Sequence, residues 1–135
     1  MTKEELFGSE FDWFALDANN NVALFATAGF GYIPDAVIQS YDDHADITDF
    51  FLTPHWGSEG IWDDYAKYGL FVYDWVGASE HYATLPDCYV KVREPAQEMP
   101  EDLKDRILSI SGVQKFPVDF RSSEVITREV YEPLP

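Results

Sequence analysis

The sequence predicts a single α+β domain over residues 1–135, in which two or three helices pack on an antiparallel sheet. Three observations support this prediction. A chain of 135 residues and 15.5 kDa has the size of one hydrophobic core. Apolar runs bounded by turn residues indicate strands, and they lie on both sides of segments with helical periodicity. The aromatic content of 16% excludes a disordered acidic chain, which would be poor in these residues.

A hairpin is predicted at residues 11–28. Two apolar runs flank an asparagine-rich turn at residues 17–21, and asparagine tolerates the positive φ that tight turns require. Both runs are apolar almost throughout, so we expect the hairpin to be central in the sheet and covered on both faces. Trp13 in this hairpin and Trp75 in a later apolar run are expected in the core, as is the single cysteine, Cys88.

Two helices are predicted after the hairpin. The first runs from residue 35 to about residue 52, where Pro54 ends it, and the second runs from residue 58 to residue 68. The remaining predicted elements are, in order, a strand at 70–76, a polar loop at 77–87, a strand at 89–93, a helix at 101–110, an edge strand at 113–120 and a strand at 124–131.

The negative charge is concentrated in the first two thirds of the chain. The net charge is −16, and residues 4–66 contain 13 acidic residues but no lysine or arginine. Nucleic-acid binding and attachment to an anionic membrane are therefore excluded, because both need basic residues. The N-terminal sequence lacks the features of a signal peptide and no apolar run is long enough to cross a bilayer, so we expect a cytoplasmic protein.

No motif in the sequence places catalytic or metal-binding groups together. Asp17, Asn19 and Asn21 match the first half of a calcium loop but lack its glycine and glutamate, and a hairpin turn explains them. The three histidines do not have the spacing of metal ligands, and a solvated helix face explains His44. We therefore expect no enzyme activity, no catalytic residues, no metal and no cofactor.

Acidic and aromatic residues cluster on the two predicted helices. Such a cluster is typical of a surface that keeps a protein soluble, and also of a docking surface for a basic partner with aromatic anchors. The candidate partner-binding residues are Asp42, Asp43, Asp46, Asp49, Trp56, Glu59, Trp62, Asp63 and Asp64.

Four segments of the chain resemble a family of small acidic bacterial proteins, some of which are immunity proteins of polymorphic toxin systems, including contact-dependent growth inhibition. These segments are DWFALD (12–17), FATAGFGYIP (25–34), AKYGLFVYDW (66–75) and YVKVREP (89–95). They carry structural elements, so no site residue transfers with them. The resemblance implies a protein that binds a cognate toxin domain and does no chemistry.

Three functions are therefore considered. The first is an immunity protein that neutralises a cognate toxin domain, a basic nuclease, through the acidic aromatic surface. The alternative is a small enzyme or ligand-binding domain with a pocket under the loop from Gly29 to Pro34, lined by Tyr32, His55 and Trp56. The third is a structural module in which the acidic residues serve solubility alone.

Overall fold

Helices pack on one six-stranded sheet in the computed structural model, which describes residues 2–75, 88–127 and 130. The strands are β1 (Asp12–Leu16), β2 (Val22–Ala26), β3 (Phe71–Trp75), β4 (Cys88–Arg93), β5 (Gln114–Lys115) and β6 (Val125–Thr127). The helices are α1 (Lys3–Leu6), α2 (Asp35–Gln39), α3 (Tyr41–Thr48), α4 (Gly60–Ala66) and α5 (Glu101–Leu108). The strand order across the sheet is β5-β1-β2-β3-β4-β6.

The prediction of an α+β fold is confirmed, but the prediction of a purely antiparallel sheet is wrong. The sheet is mixed: β1–β2, β3–β4 and β4–β6 are antiparallel, whereas β2–β3 and β1–β5 are parallel. The physical reason is the crossover. Helices α2, α3 and α4 carry the chain back to the end of the sheet where β2 began, so β3 runs in the same direction as β2.

The central hairpin is confirmed. Residues of β1 and β2 pair from Asp12 opposite Ala26 to Leu16 opposite Val22, and most of them are buried. Asn20 in the turn has a φ of +62°. Strand side chains alternate between two faces, so both layers of the core depend on this register.

Each face of the hairpin packs against a different layer. On one face the rings of Trp13, Phe25 and Tyr73 stack across three strands, with centroids 4.4 Å and 5.1 Å apart. The opposite face carries the apolar residues Phe14, Leu24 and Val72 and is covered by residues of α3, α4 and α5. Trp13, Trp75 and Cys88 are buried, as predicted.

The helix predicted from residue 35 to about 52 is interrupted at Ser40. This residue has φ −111° and ψ 30°, and its Oγ donates a 2.9 Å hydrogen bond to the carbonyl oxygen of Ala36. Such back-bonding competes with the helical hydrogen-bond pattern, and the sequence periodicity does not reveal it. There are thus more helices within the described residues than the two or three predicted, since α1 is also present. The loop predicted at 77–87 and part of the last predicted strand lie outside the described residues.

The Asp17 carboxylate fixes the hairpin turn and joins it to a distant segment. Its Oδ1 accepts hydrogen bonds from the backbone N–H groups of Asn19 (2.9 Å) and Asn21 (2.8 Å). Its Oδ2 accepts from Asn21 Nδ2 (2.9 Å) and from the backbone N–H of Phe120 (2.9 Å). Burial raises the pKa of Asp17, but these hydrogen bonds outweigh it and hold the pKa below the ordinary value of 3.8.

We predict that Asp17→Asn lowers the free energy of unfolding at neutral pH by about 2–3 kcal/mol, because an amide cannot accept all the N–H groups that the carboxylate accepts. Urea unfolding measures the loss. A carboxyl whose pKa is lowered in the native state stabilises the fold at pH values above its pKa in the unfolded state. This stabilisation is lost as the pH falls through the native pKa, so the difference in stability between Asp17→Asn and the unaltered protein should shrink in acid.

The matched control is Asp46→Asn on the exposed side of α3, which should change stability by less than about 0.5 kcal/mol. Equal stability of the two variants at neutral pH would contradict the role given to Asp17.

Candidate functional site

Four of the predicted partner-binding residues form an exposed ridge along α3. Asp42, Asp43 and Asp46 lie on the helix, Asp49 follows its last turn, and all four side chains are exposed. We call this set the α3 acidic ridge. Arg106 of α5 lines a shallow hollow together with Asp43 and Asp46. No ion pair of the four carboxylates is found within the described residues, so the ridge is a negative surface.

His44 lies within the same helix but points into the core, so placing it on a solvated face was wrong. It is fully buried, and its Nδ1 accepts a 3.2 Å hydrogen bond from the backbone N–H of Phe14. Its Nε2 is buried without a hydrogen-bond partner among the described residues. Burial lowers the pKa of His44 to about 4, so the ring is neutral at physiological pH.

The acidic residues of α4 have internal partners. Asp63 accepts a 2.6 Å hydrogen bond from Arg93 Nε, which lowers the pKa of the carboxyl, and the Arg93 guanidinium lies 5.5 Å from the centroid of the Trp62 ring. Asp64 is only 2% exposed and accepts hydrogen bonds from the backbone N–H (3.0 Å) and Nδ1 (2.8 Å) of His55. Asp64 therefore fixes the loop before α4 from inside the protein.

The remaining predicted residues line a cleft of about 620 Å³ between α4 and one end of the sheet. Trp56, Glu59 and Trp62 form its outer walls, and the Trp56 side chain is 72% exposed. Its inner part contains acidic residues that the sequence interpretation did not include. The acidic aromatic cleft is defined here by Glu10, Asp12, Trp56, Glu59, Trp62 and Asp74.

The floor of the cleft is a row of residues across three strands. Asp12 of β1 pairs with Ala26 of β2, and Ala26 pairs with Asp74 of β3. Both carboxylates therefore lie on one face of the sheet with the small Ala26 methyl between them. This is the face that carries Phe14 and Val72 deeper in the core. In the sequence, Asp12 and Asp74 each occupy a position that alternates with core residues of their strand. Their proximity follows only from the strand order, which the sequence does not show.

Burial changes the acidity of both floor carboxylates. It raises the pKa of Asp12 to about 6, although a 2.8 Å hydrogen bond from the Tyr65 hydroxyl acts against the rise. It also raises the pKa of Asp74 to about 6, and the negative charges of Asp12, Glu10 and Glu59 add to the effect. Within the described residues, neither carboxylate has a basic partner at ion-pair distance.

A second cleft of about 610 Å³ lies at the hairpin-turn end and differs in charge. Lys104 and Arg121 line it together with Glu98 and Glu101, so positive and negative groups are both present. Among the described residues that line the acidic aromatic cleft, none is a lysine or an arginine. Two clefts of similar size on one molecule therefore differ in the ligand charge that they favour.

The residues proposed for a pocket under the Gly29–Pro34 loop do not come together. Tyr32 lines a small hollow of about 130 Å³ with Leu6 and Phe7, whereas Trp56 lines the acidic aromatic cleft. His55 is held against Asp64. The loop itself packs on the N-terminal segment, where the Gly8 N–H donates a 2.7 Å hydrogen bond to the Gly29 carbonyl oxygen.

No family model matches this chain, and neither a curated protein nor a solved structure matches it. None of the helices in the described part of the chain has the length and apolar character needed to cross a bilayer. Across the same residues, no group of three histidine, cysteine or acidic side chains is arranged to hold a metal ion. The features of the described residues that bear on function are therefore the α3 acidic ridge and the acidic aromatic cleft.

We predict that Asp74→Asn raises the free energy of unfolding at neutral pH by about 1–3 kcal/mol. The native pKa of Asp74 lies near 6 and its ordinary value is 3.8, so the native state binds the proton more tightly than the unfolded state. Ionisation of Asp74 therefore costs stability as the pH rises through 6, and the amide removes that cost. Urea unfolding at several pH values measures the gain, which should disappear below about pH 4.

Asp17→Asn provides the matched comparison, because it removes the same charge from a buried carboxylate that has four hydrogen bonds. The two variants should shift stability in opposite directions. A destabilised Asp74→Asn protein at neutral pH would show that this carboxylate has a stabilising partner and would contradict the prediction.

Proposed function

We propose that this protein is an immunity protein that binds and neutralises a cognate bacterial toxin domain, a basic nuclease. The observation that carries the proposal is the presence of two acidic features, the exposed α3 acidic ridge and the acidic aromatic cleft. Inhibition needs only occupation of the toxin's active face, so the protein itself does no chemistry.

Electrostatics supports a basic partner. The chain has a net charge of −16, and the four carboxylates of the α3 acidic ridge are exposed to solvent. A surface of this kind attracts a positive surface over a distance of about 10 Å at ordinary ionic strength and speeds association. A nuclease must carry a positive active face to bind its substrate, and an acidic protein can occupy that face in place of nucleic acid.

Exposed aromatic side chains support a protein partner over simple solubility. Trp56 is 72% exposed at the rim of the cleft, and Trp62 lines its wall. Tryptophan is enriched among the residues that contribute most to protein interfaces. Trp62 also packs on the core and against Arg93, so Trp56 is the ring whose exposure a solubility role leaves unexplained.

The small enzyme or ligand-binding domain remains the competing proposal. The pocket expected for it under the Gly29–Pro34 loop requires Tyr32, His55 and Trp56 to lie together, and these residues lie apart. The immunity proposal instead uses Trp56 together with Glu59 and Trp62, which line one cleft.

We predict that Asp46→Lys weakens binding to the cognate toxin domain by at least about tenfold, because it places a positive charge in the middle of the α3 acidic ridge. Isothermal titration with the purified toxin domain measures the affinity, which should be nanomolar for the unaltered protein and fall steeply with salt.

Glu98→Lys is the matched control, since it makes the same charge change at an exposed position beside the second cleft. It should leave the affinity within about threefold of the original. If both variants weakened binding equally, the effect would come from the net charge of the protein and not from the α3 acidic ridge. If the toxin domain did not bind at all, the proposed function would be overturned.

A further inference from the structure

We propose that the acidic aromatic cleft receives the guanidinium or ammonium group of one basic side chain from the protein partner, held between Asp12 and Asp74. This inference rests on the proposed function, because it names the group by which the partner is anchored. The guanidinium of arginine fits best, since it combines a positive charge with a planar surface that stacks on aromatic rings.

The spacing of the floor carboxylates suits one such group. Asp12 and Asp74 lie on strands β1 and β3 with β2 between them, so their Cα atoms are separated by roughly 10 Å. Ala26 between them carries only a methyl group, which leaves room above it. The cleft volume of about 620 Å³ lies within the range of small-ligand sites and exceeds what one side chain requires.

Asp74 is a buried carboxylate that has no cation beside it among the described residues. Its side chain lines the cleft although the residue is only 8% exposed, and its carboxylate accepts a hydrogen bond from the backbone N–H of Trp75. The structure describes no ion pair to this carboxylate in residues 2–75, 88–127 and 130. A buried carboxylate in this state is destabilising, and an incoming cation would remove the cost.

The walls provide the aromatic part of a cation site. Trp56, Trp62 and Tyr65 all line the cleft, and cations bind over aromatic faces with a gain that grows as water is excluded. The protein itself shows this interaction at a wall of the cleft, because the Arg93 guanidinium lies 5.5 Å from the centroid of the Trp62 ring and bonds to Asp63. The chemistry proposed for the partner is therefore present at the edge of the same cleft.

The arrangement favours an organic cation over a metal ion. No three acidic, histidine or cysteine side chains among the described residues have the geometry of a metal site. Aromatic walls also contribute nothing to hard metal ions, which require oxygen ligands on several sides.

The test uses the intact protein and two small probes, acetylargininamide and its neutral isostere acetylcitrullinamide. Binding is followed by the shifts of the Trp56 and Trp62 indole N–H signals in NMR titrations. The arginine probe should bind saturably, and the citrulline probe at least about tenfold more weakly. Equal affinity for the two probes would overturn the proposal, because the cleft would then not recognise charge.

Matched variants locate the site. Asp74→Asn should weaken arginine-probe binding at least about tenfold, whereas Glu98→Gln, which removes the same charge beside the second cleft, should leave it unchanged. Trp56→Ala is a second cleft variant that cannot disturb the core, since this side chain is exposed. Unaltered binding in both cleft variants, or equal weakening by Glu98→Gln, would overturn the proposal.

The pH dependence gives an independent readout. The charged groups that face Asp74 are Asp12, Glu10 and Glu59, and Tyr65 bonds to Asp12. Because the pKa values of Asp12 and Asp74 lie near 6, probe affinity should fall as the pH is lowered from about 7 to about 5. Asp74→Asn should flatten this profile, and an unchanged profile in that variant would count against the site.

The toxin domain then separates this inference from the proposed function. If Asp74→Asn also weakens toxin binding at least about tenfold, the partner's basic side chain occupies the cleft. If the probe binds but Asp74→Asn leaves toxin affinity unchanged while Asp46→Lys reduces it, the proposed function holds and the partner is not the occupant. If the toxin domain does not bind at all, the proposed function fails, and this inference about the partner fails with it.

Discussion

The register between β1, β2 and β3 is the constraint on which the rest of the structure depends. Because strand side chains alternate between faces, one register places Trp13, Phe25 and Tyr73 in a stacked row on one side and Phe14, Leu24 and Val72 on the other. The same register carries Asp12 and Asp74 onto the second face, beyond the edge of its apolar core. A slip of β1 or β3 by one residue would turn the carboxylate of that strand towards the stacked aromatic rings, where its burial would be costly.

The acidic residues illustrate how environment decides what one functional group does. Asp17 is buried and fully hydrogen-bonded, so it stabilises the fold. Asp63 is paired with Arg93, whereas the α3 acidic ridge is solvated. Asp74 is buried and has no cationic partner within the part of the chain that the structure describes, so an incoming positive charge would stabilise it directly. The net charge of −16 is thus a sum of groups with different roles.

A cleft that costs stability is consistent with a binding site. Burial raises the pKa values of Asp12 and Asp74 to about 6, which means that their ionised forms destabilise the free protein. A ligand that supplies a positive charge would recover this free energy on binding. In the proposed complex the α3 acidic ridge would have a complementary role, since exposed charges act at longer range and would guide a basic partner as it approaches.

Local patterns in the sequence determined the α+β class, the central hairpin, the buried Trp13 and Trp75, and the acidic character of α3. These features depend on the side-chain period of an element or on its immediate turn residues, and both are visible in a short window. The break at Ser40 and the burial of His44 are not visible in such a window, because they arise from hydrogen bonds to Ala36 and Phe14 in the folded chain.

The sequence likewise predicts only part of the candidate site. Trp56, Glu59 and Trp62 were found from composition, whereas Asp12 and Asp74 lie 62 positions apart in the sequence and meet only because a helical crossover makes β3 run parallel to β2. The amino-acid sequence by itself determined that this protein is acidic and rich in aromatic residues; the tertiary structure decided which carboxylates are buried, which are paired and which face an open cleft, because burial and pairing depend on neighbours that are distant in the chain.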